Sequence, residues 1–195
     1  MAKDKGPIIY QLKITLSRSK PTIWRRFLVK SEINLYKLHS VIQIVMGWTN
    51  SHMHHFRKDN VFYGTPHPDM ELGWALNSKF KTVDEEKYKI NEVLTRPKMK
   101  IQYEYDFGDS WWHELVLEKI LEREGKPTPI CVEGAMACPP EDCGSPGGYY
   151  TMLETMENPE DPEYDEICDW MGDEFDPEEF NIEEINKGLK RIKNA

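Results

Sequence analysis

Four stretches carry the residue types that do chemistry. In Tyr105–His113, the side chains of Asp106, Asp109, Trp111, Trp112 and His113 crowd one tight turn. A carboxylate and an imidazole between aromatic walls is an arrangement that suits general-base work in a pocket. The same residues also suit a purely structural turn, with Asp106 and Ser110 bonding the backbone and the indoles in the core. The second stretch holds Cys131, Cys138 and Cys143, separated by six and four residues. Zinc ribbons and knuckles space their cysteines more closely, so a structural zinc here would need a fourth ligand, His113 or Cys168. The alternative is small buried thiols. Glu141, Asp142 and the glycines 144, 147 and 148 lie in the same stretch, where glycine permits close backbone approach to a ligand or another segment. No Lys-Ser/Thr ending follows, which excludes a P-loop.

The third stretch is His52-Met53-His54-His55. In a strand, His52 and His54 share a face and could chelate a metal with Asp106 or Asp109. The bland alternative keeps one histidine in the core and another exposed. The fourth is basic: Arg18, Lys20, Arg25, Arg26 and Lys30. Arg25 and Arg26 point to opposite faces of a strand, so they cannot make one patch. A salt bridge to the acidic tail accounts for them, as does a nucleic-acid contact beside Trp24.

These side chains need elements to hold them. Ile8–Leu16 alternates and predicts a half-buried strand, with residues 22–30 as its hairpin partner. Asn34 caps a core helix over 35–46, and Gly47 stops it. Residues 52–58 and 61–63 read as short strands, and 64–80 as irregular. Residues 82–94 read as a short helix. The clearest hairpin runs from Met99 to Phe107 and back from Trp111 to Glu122. Residues 125–148, rich in Pro, Gly and Cys, read as one long loop, a feature that is usually functional or tied down. A helix follows over 149–157. Asp161-Pro162 and Asp176-Pro177 each place a capping Asp before Pro, and Asn181 with Glu184 caps a last helix to about residue 192. The order predicts an α+β fold: a mixed or antiparallel sheet with one main core helix and C-terminal helices packed on it. Two parts are expected, a core domain over 1–153 and an acidic helical extension over 154–195 on the same domain.

Composition narrows the class. The 195 residues are 39% hydrophobic and 11% aromatic, enough for a real core. No apolar run is long enough to span a bilayer, and the N-terminus lacks the apolar stretch of a signal peptide. Four cysteines at these spacings do not make a disulfide framework, so a reducing cytoplasmic setting is expected. The net charge of -9 is uneven. Residues 154–184 carry fifteen Asp and Glu and no Lys or Arg, while residues 1–153 hold 21 basic and 19 acidic side chains. The acidic run reads as a solvated helical face, or as a surface for a basic partner.

Several segments, taken in order, carry a resemblance. They are Pro21-Thr22-Ile23-Trp24-Arg25-Arg26, Leu38-His39, Ile42-Gln43, Met46-Gly47-Trp48 and His52-Met53-His54. Then come Tyr103 to Trp111, Cys138-Pro139-Pro140-Glu141-Asp142-Cys143-Gly144, Trp170-Met171-Gly172 and Phe175-Asp176-Pro177-Glu178. Over about residues 8–182 the chain resembles the plasmid pRiA4b ORF-3-like family. The resemblance implies no catalytic residues. It does imply a setting near DNA or mobile elements, since some relatives are labelled resolvases or joined to repressor-type domains. No separate helix-turn-helix region is found in this chain.

The expectation is a non-catalytic binding or interaction module with a protein partner, no membrane span and no cofactor unless zinc. Its candidate binding residues are Asp106, Asp109, Trp111, His113, Glu141, Asp142, His52 and His54, with Cys131, Cys138 and Cys143 as candidate metal ligands. One alternative is a metal-assisted hydrolase, which requires His52, His54, Asp106, Asp109 and His113 to converge on one point. Another is a DNA- or mobile-element-associated accessory protein, although an isoelectric point near 5.2 opposes strong non-specific binding. All site readings require the segment after residue 125 to fold over the tip of the Tyr103–Trp112 ribbon and leave a polar hollow.

Overall fold

A computed structural model describes residues 8–65, 79–122, 129–172 and 175–192. One eight-stranded sheet organises it. The strands are β1 Ile8–Leu16, β2 Trp24–Lys30, β3 His54–Lys58, β4 Val61–Gly64, β5 Lys81–Asp84, β6 Lys100–Tyr105, β7 Trp111–Glu122 and β8 Ile130–Ala135. Their spatial order is β5-β4-β3-β6-β7-β1-β2-β8. Neighbours run antiparallel except β4 and β5, which are parallel. The sheet is therefore mixed, and with its helices the fold is α+β.

The period-2 pattern decides which face is dry. Leu12 and Ile14 of β1, Phe27 of β2, Tyr103 and Tyr105 of β6, and Trp111, Leu115 and Leu117 of β7 all turn to one side and are buried. Helix α1, Leu35–Met46, lies over that side. Its Leu35, Leu38, Val41, Ile42 and Val45 recur at helical spacing and have no exposed surface. Asn34 accepts from the Lys37 N–H, and Gly47 takes a left-handed φ of 106° that donates its N–H back to the Gln43 carbonyl. Truncating a side chain such as Leu38 to Ala would cost about 2–5 kcal/mol. The opposite face carries Gln11, Lys13, Arg26, Lys100, Glu114 and Glu118 and stays open, as one face of an antiparallel sheet can.

Helix α2 (Ile90–Val93) follows a 3-10 turn at Glu85–Lys87. Three helices follow the sheet: α3 Ser145–Met156, α4 Tyr164–Met171 and α5 Ile182–Leu189. Helix α5 packs between α1 and β8. Leu189 enters the core, and a Cβ on Gly188 would come within 2.9 Å of Ile44. The Asn186 side chain exchanges two hydrogen bonds with the Cys131 backbone, at 2.8 and 2.9 Å, and so blocks the edge of β8. Helix α4 buries none of its residues fully.

Several boundaries differ from the sequence reading: the helix expected over 149–157 runs Ser145–Met156, and the strand expected over 52–58 begins at His54. Residues 82–94 hold β5, the 3-10 turn and α2 rather than one helix. The long loop contains β8, whose alternation is too weak to register, because only Cys131 within it is fully buried. Asp161-Pro162 and Asp176-Pro177 each open a turn instead of a helix, with Asp161 Oδ1 accepting from the Glu163 N–H and Asp176 Oδ1 from the Glu178 N–H, and the helix after the first starts only at Tyr164. The irregular reading of 64–80 falls largely outside the described residues. Among the described residues no helix is long and apolar enough to cross a membrane.

Candidate functional site

The β6–β7 hairpin and the Cys138–Gly144 loop meet at the hairpin tip. Asp106 leaves β6 with a left-handed φ of 55°, a conformation that Asp tolerates better than most residues. Its backbone N–H bonds the Met53 carbonyl, which ties the tip to the segment carrying His52. Its Oδ1 accepts from the Gly108 N–H at 2.9 Å. Its other oxygen, Oδ2, lies 3.7 Å from His52 Nε2.

The loop is latched at four points. Trp48 Nε1 donates to the Pro139 carbonyl at 3.1 Å. Glu141 accepts from the Thr49 N–H, the Thr49 hydroxyl and the Tyr105 hydroxyl, at 2.8–3.0 Å. The Ser51 N–H donates in turn to the Tyr105 oxygen. Burial, and then the bond to Glu141, push the Tyr105 phenol well above its usual range. Asp109 Oδ2 accepts from the Gly144 N–H at 3.0 Å. A Cβ at Gly148 would stand 2.4 Å from the Cys143 carbonyl, so glycine is required where α3 turns under the loop.

This latch brings Asp142, also left-handed at φ 58°, across to His52. Its Oδ1 lies 3.0 Å from His52 Nε2, and Glu141 Oε2 lies 3.9 Å from the same nitrogen. His52, Asp106 and Asp142 each offer one ligand atom, and the three atoms lie within 4.8 Å of one another. The Nε2 atom is sealed from solvent and yet makes no hydrogen bond of good alignment. His52 also lines a cavity of about 260 Å³, together with Tyr36, His39, Asn50, Met53, His54 and Thr65, on which Asp106, Glu141 and Asp142 do not border.

Of the sequence-predicted residues, Asp106, Glu141 and Asp142 gather around His52 in the hollow between loop and hairpin, and Asp109 latches the loop nearby through the Gly144 N–H. Three do not. His54 opens β3 and turns under α1, where its Nε2 donates to Glu85 Oε2 at 3.0 Å and its ring stacks on His39 at 3.3 Å. His52 precedes the strand, so the two histidines do not share a strand face. Trp111 and His113 alternate inward on β7 and lie in the core beside Trp48. Burial pushes the His113 imidazole down to about 3, opposed by the backbone carbonyls of Tyr103 and Trp111. The five-residue convergence that a hydrolase reading needs is therefore broken.

The cysteine set also fails to converge. Among the described residues Cys131, Cys138 and Cys143 form no three-ligand group, because β8 carries Cys131 away to α5 while the other two lie under the loop. Burial pushes Cys131 up to about 11 and Cys143 up to about 12. Cys168 lies on α4 and, like the others, forms no disulfide. The arginines depart from expectation as well. Arg26 pairs with Glu118 at 2.6 Å and with Glu133, both on the sheet rather than in the tail. Arg25 is buried, donates to the Val45, Trp24 and Ala135 carbonyls, and faces the Phe180 ring.

Three residues escaped the sequence reading. Glu85 has no exposed surface and binds both His54 and Thr65, but in the sequence it sits in an acidic run that looks solvated. Glu104 is buried against His55 at 3.2 Å and accepts from Ser110 Oγ at 2.6 Å. Tyr105 was legible as an inward ribbon residue, but its hydroxyl partner was not. His39 of α1 is buried and bonded through both ring nitrogens. Its Nε2 donates to Asn50 at 2.6 Å and its Nδ1 accepts from Tyr103 at 2.8 Å.

Comparison with known proteins agrees with this architecture. A family model described as plasmid pRiA4b ORF-3-like protein matches residues 8–184. The chain is similar to the uncharacterized protein y4hQ of Sinorhizobium fredii (strain NBRC 101917 / NGR234). The two are 32% identical over 182 residues, which is 93% of this chain and 90% of the relative. It is also similar to a solved structure, the protein of unknown function MM3350 from Methanosarcina mazei Go1. That match has a TM-score of 0.80 and 35% identity, and covers 91% of this chain and 97% of the other.

Proposed function

Because the chain belongs to the plasmid pRiA4b ORF-3-like family, and the names of these relatives assign no reaction, we propose its function from the hollow itself. It is a non-catalytic binding module that holds a positively charged group beneath the Cys138–Gly144 loop. One observation carries the reading: a single imidazole faces the carboxylates of Asp106, Asp142 and Glu141 at 3.0–3.9 Å. Like charges this close and partly shielded from water repel unless a cation joins them. The Asp142 side chain is 70% exposed, which leaves a route in. The positive group is a free cation or a Lys or Arg side chain of a protein partner.

The other readings have less support. A hydrolase needs a proton-transfer group beside the cluster, and His54 and His113 are engaged elsewhere. A DNA-associated role needs unpaired positive charge, yet on the open sheet face Arg26 and Lys100 are matched by Glu118 and Glu114. Four cysteines without a disulfide suit a reducing, cytoplasmic setting.

The test is a thermal-shift comparison of the wild-type protein with Asp142→Asn, using spermidine, a short Lys/Arg peptide and divalent metal ions. At a ligand concentration 100 times Kd, a specific cation stabilises by about 2.7 kcal/mol. The expected shift appears in the wild type and disappears in the variant. Equal shifts in both, or none in either, would end the reading.

A further inference from the structure

We infer that the positively charged ligand is a divalent first-row metal ion, held by His52 Nε2, Asp106 Oδ2 and Asp142 Oδ1. This deepens the binding reading above and rests on it. A metal about 2.1 Å from each of its N and O ligands requires those atoms to stand roughly 3.0–4.3 Å apart, depending on the angle at the metal. His52 Nε2 lies 3.0 Å from Asp142 Oδ1 and 3.7 Å from Asp106 Oδ2, both inside that span, and the two carboxylate oxygens lie within 4.8 Å of each other, so that a turn of the exposed Asp142 side chain closes the set.

The hydrogen bonding of the donors supports the same assignment. A protonated His52 paired with Asp142 would donate along the Nε2–Oδ1 line. Nε2 makes no such bond, although it is shut off from solvent with carboxylate oxygens around it. A lone pair on Nε2 directed at a metal removes that contradiction. Asp106 is oriented for the role by the Gly108 N–H on its Oδ1, which leaves Oδ2 for the ion, as an outer partner of a metal-bound carboxylate does. Glu141 is a wall rather than a ligand, because Thr49 and Tyr105 occupy both its oxygens. Two carboxylates neutralise the charge of a divalent ion.

The donor set also selects the metal. One imidazole with two carboxylates suits Mn2+, Co2+ or Zn2+ better than Ca2+ or Mg2+, which take oxygen ligands almost alone. The exposed side chain of Asp142 leaves further coordination positions for water or a small anion.

The test uses tag-free protein and Co2+ and Mn2+ alone as probes, measured by calorimetry and by Co2+ absorption. One ion per chain is expected, with weak visible bands and no thiolate charge-transfer band. His52→Gln and Asp142→Asn, both at accessible side chains, should weaken binding by at least about 100-fold while keeping the wild-type circular dichroism. A thiolate band, or affinity unchanged in His52→Gln, would overturn the assignment in favour of the cysteines or of another site. Binding of spermidine or the basic peptide without either metal would overturn this inference and leave the binding reading standing. No binding of any cation would end both.

Discussion

His52 and His54 are separated by one residue, and each meets carboxylates about 3.0 Å away. The two neighbourhoods are opposite in kind. Around His54 the account is closed: one imidazole meets one carboxylate, Glu85, whose second oxygen is taken by the Thr65 hydroxyl. The His54 side chain is only 9% exposed and Glu85 not at all. Around His52 one imidazole meets more carboxylates than it can satisfy, and one of them, Asp142, is 70% exposed. The comparison teaches that composition does not distinguish a structural histidine–carboxylate pair from a ligand site. Balance and access do. A sealed pair must be satisfied within the protein, while a surplus of one charge at the surface invites a partner of the other.

The largest expected effect breaks the closed side. Glu85→Leu leaves His54 Nε2, in a side chain only 9% exposed, without its acceptor. Removing one member of a buried pair costs about 3–5 kcal/mol, read as a lower urea midpoint at unchanged slope. A loss below about 1 kcal/mol would mean that water reaches this pair and that it is not closed.

The next effect is a pH dependence set by buried imidazoles away from the hollow. Burial, above all, lowers both His39 and His113 to about 3, with the neighbouring His54 adding to the shift at His39. The folded-state value lies below the unfolded one near 6.5, so the unfolded chain binds protons that the folded chain refuses. Stability is therefore fully present above pH 6.5 and is lost as pH falls from there toward 3. Each pH unit in that window costs about 1.4 kcal/mol per imidazole. Denaturant titrations at pH 7 and pH 5 measure the slope. His113→Phe should remove one imidazole's share of it, and an unchanged slope in that variant would show that His113 is protonated in the fold.

A smaller effect separates latch from ligand inside the hollow itself. Glu141 holds the loop through Thr49 and Tyr105, so Glu141→Gln replaces charge-assisted bonds with neutral ones and costs about 1–2 kcal/mol. Hydrogen exchange should quicken in residues 138–145 while β1 and β7 stay protected. Uniform quickening would instead place Glu141 in the global fold.

Much of this frame was legible in the sequence, for reasons that differ by element. Strand β1 and helix α1 were readable because burial on one face writes a regular period into them. Helix α5 was readable through the Asn181 side chain, which does accept from the Glu184 N–H. Strand β8 was not, since its outer side meets the Asn186 side chain rather than another strand and no alternation is enforced. In the hollow, the five polar residues were chosen by type and by their place in turns, which is where chemistry is usually mounted. Glu85 and the division between His52 and His54 were out of reach. Both depend on where β3 begins, and a one-residue shift there moves every side chain to the other face.

The smallest predicted change is the sharpest probe of the comparison. Asp142→Asn removes a carboxylate from the side that has too many. In the absence of ligand this should leave stability within about 0.5 kcal/mol of the wild type, or raise it slightly by relieving repulsion among Asp106, Glu141 and Asp142. The sign is the opposite of that for Glu85→Leu, although each variant deletes a carboxylate about 3.0 Å from a histidine of the same tripeptide. Adding a cation should reverse the ranking, with the wild type gaining and Asp142→Asn standing still. If Asp142→Asn instead costs 2 kcal/mol or more without ligand, Asp142 is a structural partner of His52 and the open side is as closed as the other.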